Sequence, residues 1–201
     1  EEIAKKFTTG YPHGFEHNYW RPQNLSEPLK LKTPSKIFLD SMSDLMGAWV
    51  PESQIEAVLE TCREAHWHTF QLLTKNAPRL LKFKFPANVW VGASSPPDFF
   101  LGKRLDLNQQ ERMLRRILDT LAQVETPVRW MSVEPLSWDV APIMAEYPAL
   151  QWAVIGAATN GPKVYQPDPV HVSRLLEVFD RQQVPVFFKG NLWGNPAAKV
   201  W

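Results

Sequence analysis

The sequence predicts an α/β protein built on a parallel sheet, a partial or complete (β/α) TIM-like barrel. Three observations carry this reading. Short apolar runs recur between Lys36 and Lys189, most runs lead into a helix-sized stretch, and each run ends on small, polar or charged residues. Strands alternating with helices build parallel sheets, whose ligands sit at the carboxyl ends of the strands. The reactive-looking residues therefore collect on one face.

Taken in order, Glu1 to Phe7 reads as the end of a helix with no cap in view. Thr8 to Ser35 is rich in Pro, Tyr, His and Trp and is far longer than the roughly 4 to 6 residues of a usual connection, so it is a functional loop or a wrapped arm. The first three runs are Ile37-Phe38-Leu39 into Asp40 to Asp44, Phe70 to Leu73 into Thr74-Lys75, and Val89-Trp90-Val91 into Gly92-Ala93-Ser94. Three more are Val128 to Met131 into Ser132-Val133-Glu134, Trp152 to Ile155 into Gly156, and Val186 to Phe188 into Lys189.

Pro51 suits a first helical position, and Ile55, Val58, Leu59 and Cys62 follow at helical spacing. That places Cys62 on a buried face, where a thiol is inert. A second helix, about Leu107 to Ala122, shows Met113, Leu114, Ile117, Leu118 and Leu121 as one stripe, with Arg112, Arg115, Arg116 and Asp119 on its solvated side. The third starts at Asp168-Pro169, a capping residue before a helix-starting proline, with Val172, Leu175, Leu176 and Phe179 inward. Ser94 to Asp98 and Asn160-Gly161-Pro162 read as loops.

About six strand-helix units result, in one domain spanning residues 1–201. A closed eight-stranded barrel usually needs roughly 250 residues, which leaves a partial barrel, a doubly wound sheet, or a barrel whose first strand precedes Glu1. The uncapped opening helix favours the last.

Composition narrows the class. With 44% hydrophobic and 21% charged residues the chain is an ordinary globular one, and its net charge of +1 gives no strong electrostatic grip on nucleic acid. No apolar stretch approaches the roughly 20 residues of a membrane span and no signal peptide opens the chain, so a cytoplasmic location and no membrane partner are expected. One cysteine excludes an internal disulfide framework or a multi-cysteine metal site within these residues. Nine tryptophans are the oddity; they suit wide aromatic packing around a barrel or its rim.

Several tempting motifs fail. His13 and His17 are four apart, but Pro12 and Gly14 make a regular helix there doubtful, and His66 and His68 read as a helix end with packing roles. Gly156 to Gly161 has the glycine spacing of a phosphate loop, but Pro162-Lys163-Val164 stands where Lys and a hydroxyl are required. No metal site is expected from the residues present.

The ordered blocks Lys36 to Leu45, Thr69 to Lys75, Asn88 to Gly92, Ser132 to Leu136, Trp152 to Gly156 and Pro185 to Lys189 resemble a phage-associated family of radical-SAM-like proteins of unknown function that carry a three-cysteine motif. The blocks cover most of the chain. The resemblance implies a four-iron four-sulfur cluster and S-adenosylmethionine as cofactors, with the first strand and the cysteine loop upstream of Glu1. Three thiolates would leave one iron open for S-adenosylmethionine. This sequence departs from the family at Ala157 to Gly161, where an acidic group is expected, and at Gly190 to Gly194.

Site candidates follow from the strand ends. The resemblance gives Ser41, Ser43 and Asp44 to the methionine amino group, and Ser132 with Glu134 to the nucleoside; the local alternative for the first three is turn capping. Thr74 and Ser94 stand at equivalent ends and join the cofactor-binding set. A buried Glu134 needs a cation, a ligand or water, and Lys75 and Lys189 are its natural partners. Such a carboxylate-lysine group is either an ion pair across the rim or an acid-base mouth, with Lys189, Lys75 and Glu134 as its catalytic candidates.

Two functions from different classes are expected from this. One is a radical-SAM-like enzyme acting on an unknown substrate. The other is a non-catalytic phage-related module that binds nucleic acid or protein through Tyr11 to Arg21, using aromatic stacking and the Arg21 cation.

Overall fold

A computed structural model describes residues 19–100, 102–147 and 150–192. The expected helix at Glu1 to Phe7, the pair His13 and His17, and the first part of the Tyr11 to Arg21 arm lie outside the described residues.

Six strands form one parallel sheet: β1 Lys36–Phe38, β2 Thr69–Thr74, β3 Val89–Ser94, β6 Arg129–Val133, β7 Trp152–Ile155 and β10 Val186–Phe188. Two small antiparallel hairpins interrupt the series, β4 Phe99–Phe100 with β5 Lys103–Arg104, and β8 Ala158–Asn160 with β9 Lys163–Tyr165. Gly161 in the second hairpin has φ +58°, a left-handed conformation that glycine adopts without steric cost. The expected loop at Asn160 to Pro162 is therefore a hairpin turn.

Spatial order follows chain order throughout the six-stranded sheet, β1-β2-β3-β6-β7-β10. A doubly wound sheet reverses direction at a switch point. This sheet never does, so that alternative falls, and the strands curl into a half-barrel with β1 and β10 as its edges.

Helices cover the convex side. They are α1 Glu27–Lys30, α2 Glu52–Glu64, α3 Leu107–Gln123, α4 Ala141–Met144 and α5 Pro169–Gln182. Asp106 caps α3 in a reciprocal pair with Gln109, and Asp168 caps α5 through the Val170 amide. Alternate strand residues such as Phe70, Val91, Met131 and Ile155 share one buried apolar cluster with Ile55 and Leu59, Leu114 and Leu118, and Leu175 and Phe179. The predicted helix stripes hold. The unit pattern does not hold everywhere, because a 3-10 segment, Ala77–Lys82, follows β2 and only one turn of α-helix follows β6.

The long arm is wrapped, over the part described. Buried His68 accepts a hydrogen bond at Nδ1 from the Ser35 amide, 3.1 Å, which leaves Nε2 to donate to the Pro28 carbonyl, 3.0 Å. The Trp67 indole N–H donates to the Leu31 carbonyl, 2.9 Å. His68 thus does the packing work expected of it.

The concave side is layered. Strand pairing sets Leu73 beside Gly92, Gly92 beside Trp130, and Trp130 beside Trp152. One layer nearer the carboxyl ends stand Ser94, Ser132, Val154 and Phe187. Gly92 has to lack a side chain, since a Cβ there would lie 2.3 Å from the Trp130 ring. Trp130 folds across that gap and meets Trp152 at 4.7 Å between ring centroids, and Trp90 meets Trp152 at 5.8 Å.

Candidate functional site at the strand ends

Continuing the alternation past the last pleat puts Glu134 after β6 and Lys189 after β10 on the same face, separated by β7. Between them lies Gly156. A Cβ at Gly156 would stand 2.8 Å from the Glu134 side chain, so the glycine leaves the path by which Glu134 crosses β7. The crossing brings its Oε2 to 3.1 Å from Lys189 Nζ. The Glu134 side chain is one-quarter exposed and that of Lys189 nearly half, so the pair is wet at its cationic end.

Asn191 braces the arrangement. Its amide nitrogen donates to the Ala157 carbonyl at 2.9 Å and lies 3.4 Å from Glu134 Oε1, while its oxygen accepts from the Ala157 amide at 3.2 Å. Sequence reasoning missed Asn191 and the purpose of Gly156. The available signal was the altered Gly190-Asn191 continuation, which marks a polar side chain immediately after a strand end.

The other candidates fall into a second place. Ser41, Ser43, Asp44 and Lys75 line a cleft of about 1500 Å³ beside β1, whereas Ser132, Glu134 and Lys189 line a trough of about 670 Å³ on the concave face, the two sharing Phe38 as a wall. Lys75 therefore does not join Glu134: among the described residues the ion pair to that carboxylate comes from Lys189. The reason is position, since Lys75 follows β2, three strands away from β7 in the sheet order.

In the cleft, Asp44 accepts from the Met46 amide at 3.0 Å and from the Lys75 amide at 2.8 Å. Asn76 donates to the Met46 carbonyl, and the Arg79 guanidinium donates to the Gly47 and Val50 carbonyls. Together these bonds fasten the loop after β1 to the end of β2. Asp44 thus carries out the turn-supporting role, with Ser43 contributing its amide to the Asp40 carbonyl at 3.2 Å. Thr74 is buried and accepts from the Asn76 amide, 2.8 Å. Ser94 and Ser132 are buried side by side in β3 and β6, and the neighbouring Ser95 hydroxyl is buried without a hydrogen-bond partner.

Partial desolvation at the end of β1 raises the pKa of Asp40 above the ordinary carboxylate value; the Asp44 charge adds to the rise and a Ser43 hydrogen bond opposes it. Burial pushes the Cys62 thiol up to about 12. Such a thiol is a poor metal ligand, and no group of three or more His, Cys, Asp or Glu side chains among the described residues is placed to hold a metal ion. The residues present do not fit an iron-sulfur cluster.

Fold and site together define an α/β protein with a curled six-stranded parallel half-barrel and a polar cluster at the carboxyl ends of its strands. The chain belongs to the family described as protein of unknown function (DUF5131), which matches residues 1–200. No curated protein and no solved structure matches it. Among the described residues no helix is long and apolar enough to cross a membrane.

Proposed function

We propose that this chain is the ligand-binding half-barrel of a phage-associated radical-SAM-like enzyme, acting on an unknown substrate in the cytoplasm. The observation that carries the reading is the Glu134–Lys189 pair at 3.1 Å, which lines the trough with Ser132, while Ser41, Ser43 and Asp44 line the cleft beside β1. S-adenosylmethionine offers an amino acid at one end and a nucleoside at the other. The cleft has hydroxyls and a carboxylate for an ammonium group.

Within the reading, Lys189 is the acid-base candidate because its ammonium is half exposed and already oriented by Glu134. Lys75 is a second cation at the cleft, and Thr74 and Ser94 support the strand ends. The reading implies a four-iron four-sulfur cluster, which the residues of this chain do not hold. Its ligands would have to lie outside residues 1–201, because Cys62 cannot serve. The test is anaerobic iron and sulfide reconstitution of the protein from its complete reading frame, followed by a dithionite-driven assay. Release of 5′-deoxyadenosine and methionine is the expected result; a colourless protein that leaves S-adenosylmethionine intact overturns the reading.

A non-catalytic nucleic-acid module is the second reading, favoured by one observation. At the described end of the arm Trp20 is 40% exposed, and Arg21 lies over the Tyr19 ring at 5.7 Å. Stacking with phosphate contact would give oligonucleotide binding that falls steeply as salt rises. Binding indifferent to salt excludes it.

A further inference from the structure

The concave trough carries a chemistry that the ion pair at its end does not explain. Its floor is aromatic, formed by Trp90, Trp130 and Trp152, and its two lips are Phe38 on β1 and Phe187 on β10. These lips belong to the two edge strands of the sheet, the farthest apart in strand order, yet both line one cavity because the sheet curls. Phe38 is 44% exposed and Phe187 41%. Phe38 meets the buried Trp130 ring edge-on at 6.5 Å, yet both Phe38 and Phe187 line the trough and keep a large exposed area there.

The volume of about 670 Å³ falls in the range of small-molecule sites. The polar groups are few and sit at the ends. Ser132, Glu134 and Lys189 stand at the carboxyl end, while Lys36, whose Nζ lies 5.4 Å from the Trp90 ring centre, stands at the other with Gln71. An apolar floor of inclined indole rings between exposed phenylalanines suits a planar π-system, because offset and edge contacts to rings reward shape and not polarity. Donors and an acceptor at one end select a ring that has both a carbonyl and an N–H on its edge. The Lys189 ammonium has donors to spare after meeting Glu134, and the carboxylate has free lone pairs.

We propose that the trough is the substrate site and takes a nucleobase, free or within a nucleoside, seated on Trp152 between Phe38 and Phe187 with its lactam edge toward Lys189 and Glu134. This rests on the reading of the chain as an enzyme barrel, and it assigns the substrate class to the concave face, leaving the cofactor's amino-acid end to the cleft beside β1.

The experiment is ligand-observed NMR titration of the protein with inosine, guanosine and uridine, with ribose as the ring-free probe, repeated on Phe38→Ser and Phe187→Ser. Both phenylalanines are exposed on edge strands, so these variants keep the fold, and thermal melts verify it. Saturable nucleoside binding, none for ribose, and a loss of about fivefold or more in affinity in each folded variant is the expected result, from the usual worth of a base-aromatic stack. Absence of nucleoside binding, or unchanged affinity in both variants, overturns the proposal. One-for-one displacement of inosine by S-adenosylmethionine also overturns it, since the trough would then hold the cofactor's adenine. Nucleoside binding in a protein that neither binds nor cleaves S-adenosylmethionine leaves the ring site standing and sinks the cofactor reading alone.

Discussion

Glu134 reaches Lys189 by passing over Gly156, spanning a strand that separates their own two strands. The contact joins residues 55 positions apart in the chain, and it exists because the intervening position has no side chain. It fixes the orientation of the only carboxylate that the trough's lining residues contain.

Separating the two charges should therefore be measurable. In a double-mutant cycle of Glu134→Gln and Lys189→Met, the coupling is expected at about 1 kcal/mol, above an exposed pair because one side is largely buried. Chemical denaturation at low and high salt measures it, and a coupling indistinguishable from zero at low salt contradicts the geometry. Asn191→Ala should weaken the same coupling without abolishing it.

Gly92→Ala tests the layer beneath. Its added Cβ collides with the Trp130 ring, and overpacking of this kind costs about 1 to 3 kcal/mol. The melting temperature should fall, and Trp130→Leu in the same chain should recover part of the loss. An alanine tolerated without any change would mean that Trp130 does not cover Gly92.

His68→Ala removes the two hydrogen bonds that the imidazole makes to the arm, leaving those of Trp67 and Thr69 in place. The buried acceptor and donor left behind, with the emptied space, should cost about 2 kcal/mol or more. Hydrogen exchange at the Ser35 amide should accelerate ahead of exchange in β3. If both slow amides respond equally, the arm is not fastened by this ring.

Asp40 gives a dependence on pH. Its folded pKa is raised, so the folded state binds the proton more tightly than the unfolded chain does; the resulting stability is present below the ordinary carboxylate pKa and is lost as pH rises through the raised value. Asp40→Asn should thus stabilise the protein at pH 7 by less than about 1 kcal/mol, because the side chain keeps contact with water. The gain should shrink as pH falls toward 4. Position 40 has φ +54°, which asparagine accepts readily. A variant less stable than the wild type at pH 7 would reverse the sign.

Much of the frame was legible in the linear order of residues. Strand runs and helix stripes are local periodicities of two and 3.6, and they located all six sheet strands and the three long helices. The caps at Asp168 and the inert burial of Cys62 were equally local. The polar strand ends were correctly gathered on one end of the sheet, since parallel strands share a direction.

What the residues could not disclose was which of those ends meet. Lys75 and Lys189 look alike in sequence, each a lysine after an apolar run, but only Lys189 follows a neighbour of the strand that Glu134 crosses. The unbroken strand order, the distribution of polar ends between cleft and trough, and the presence of Phe38 and Phe187 in the lining of one cavity arise from sheet pairing and curl. The sequence by itself determined the alternation of strands and helices and the chemistry at each strand end, because those depend on near neighbours along the chain. Tertiary structure alone decided the partners, because long-range pairing sets distances between residues that local periodicity leaves unrelated.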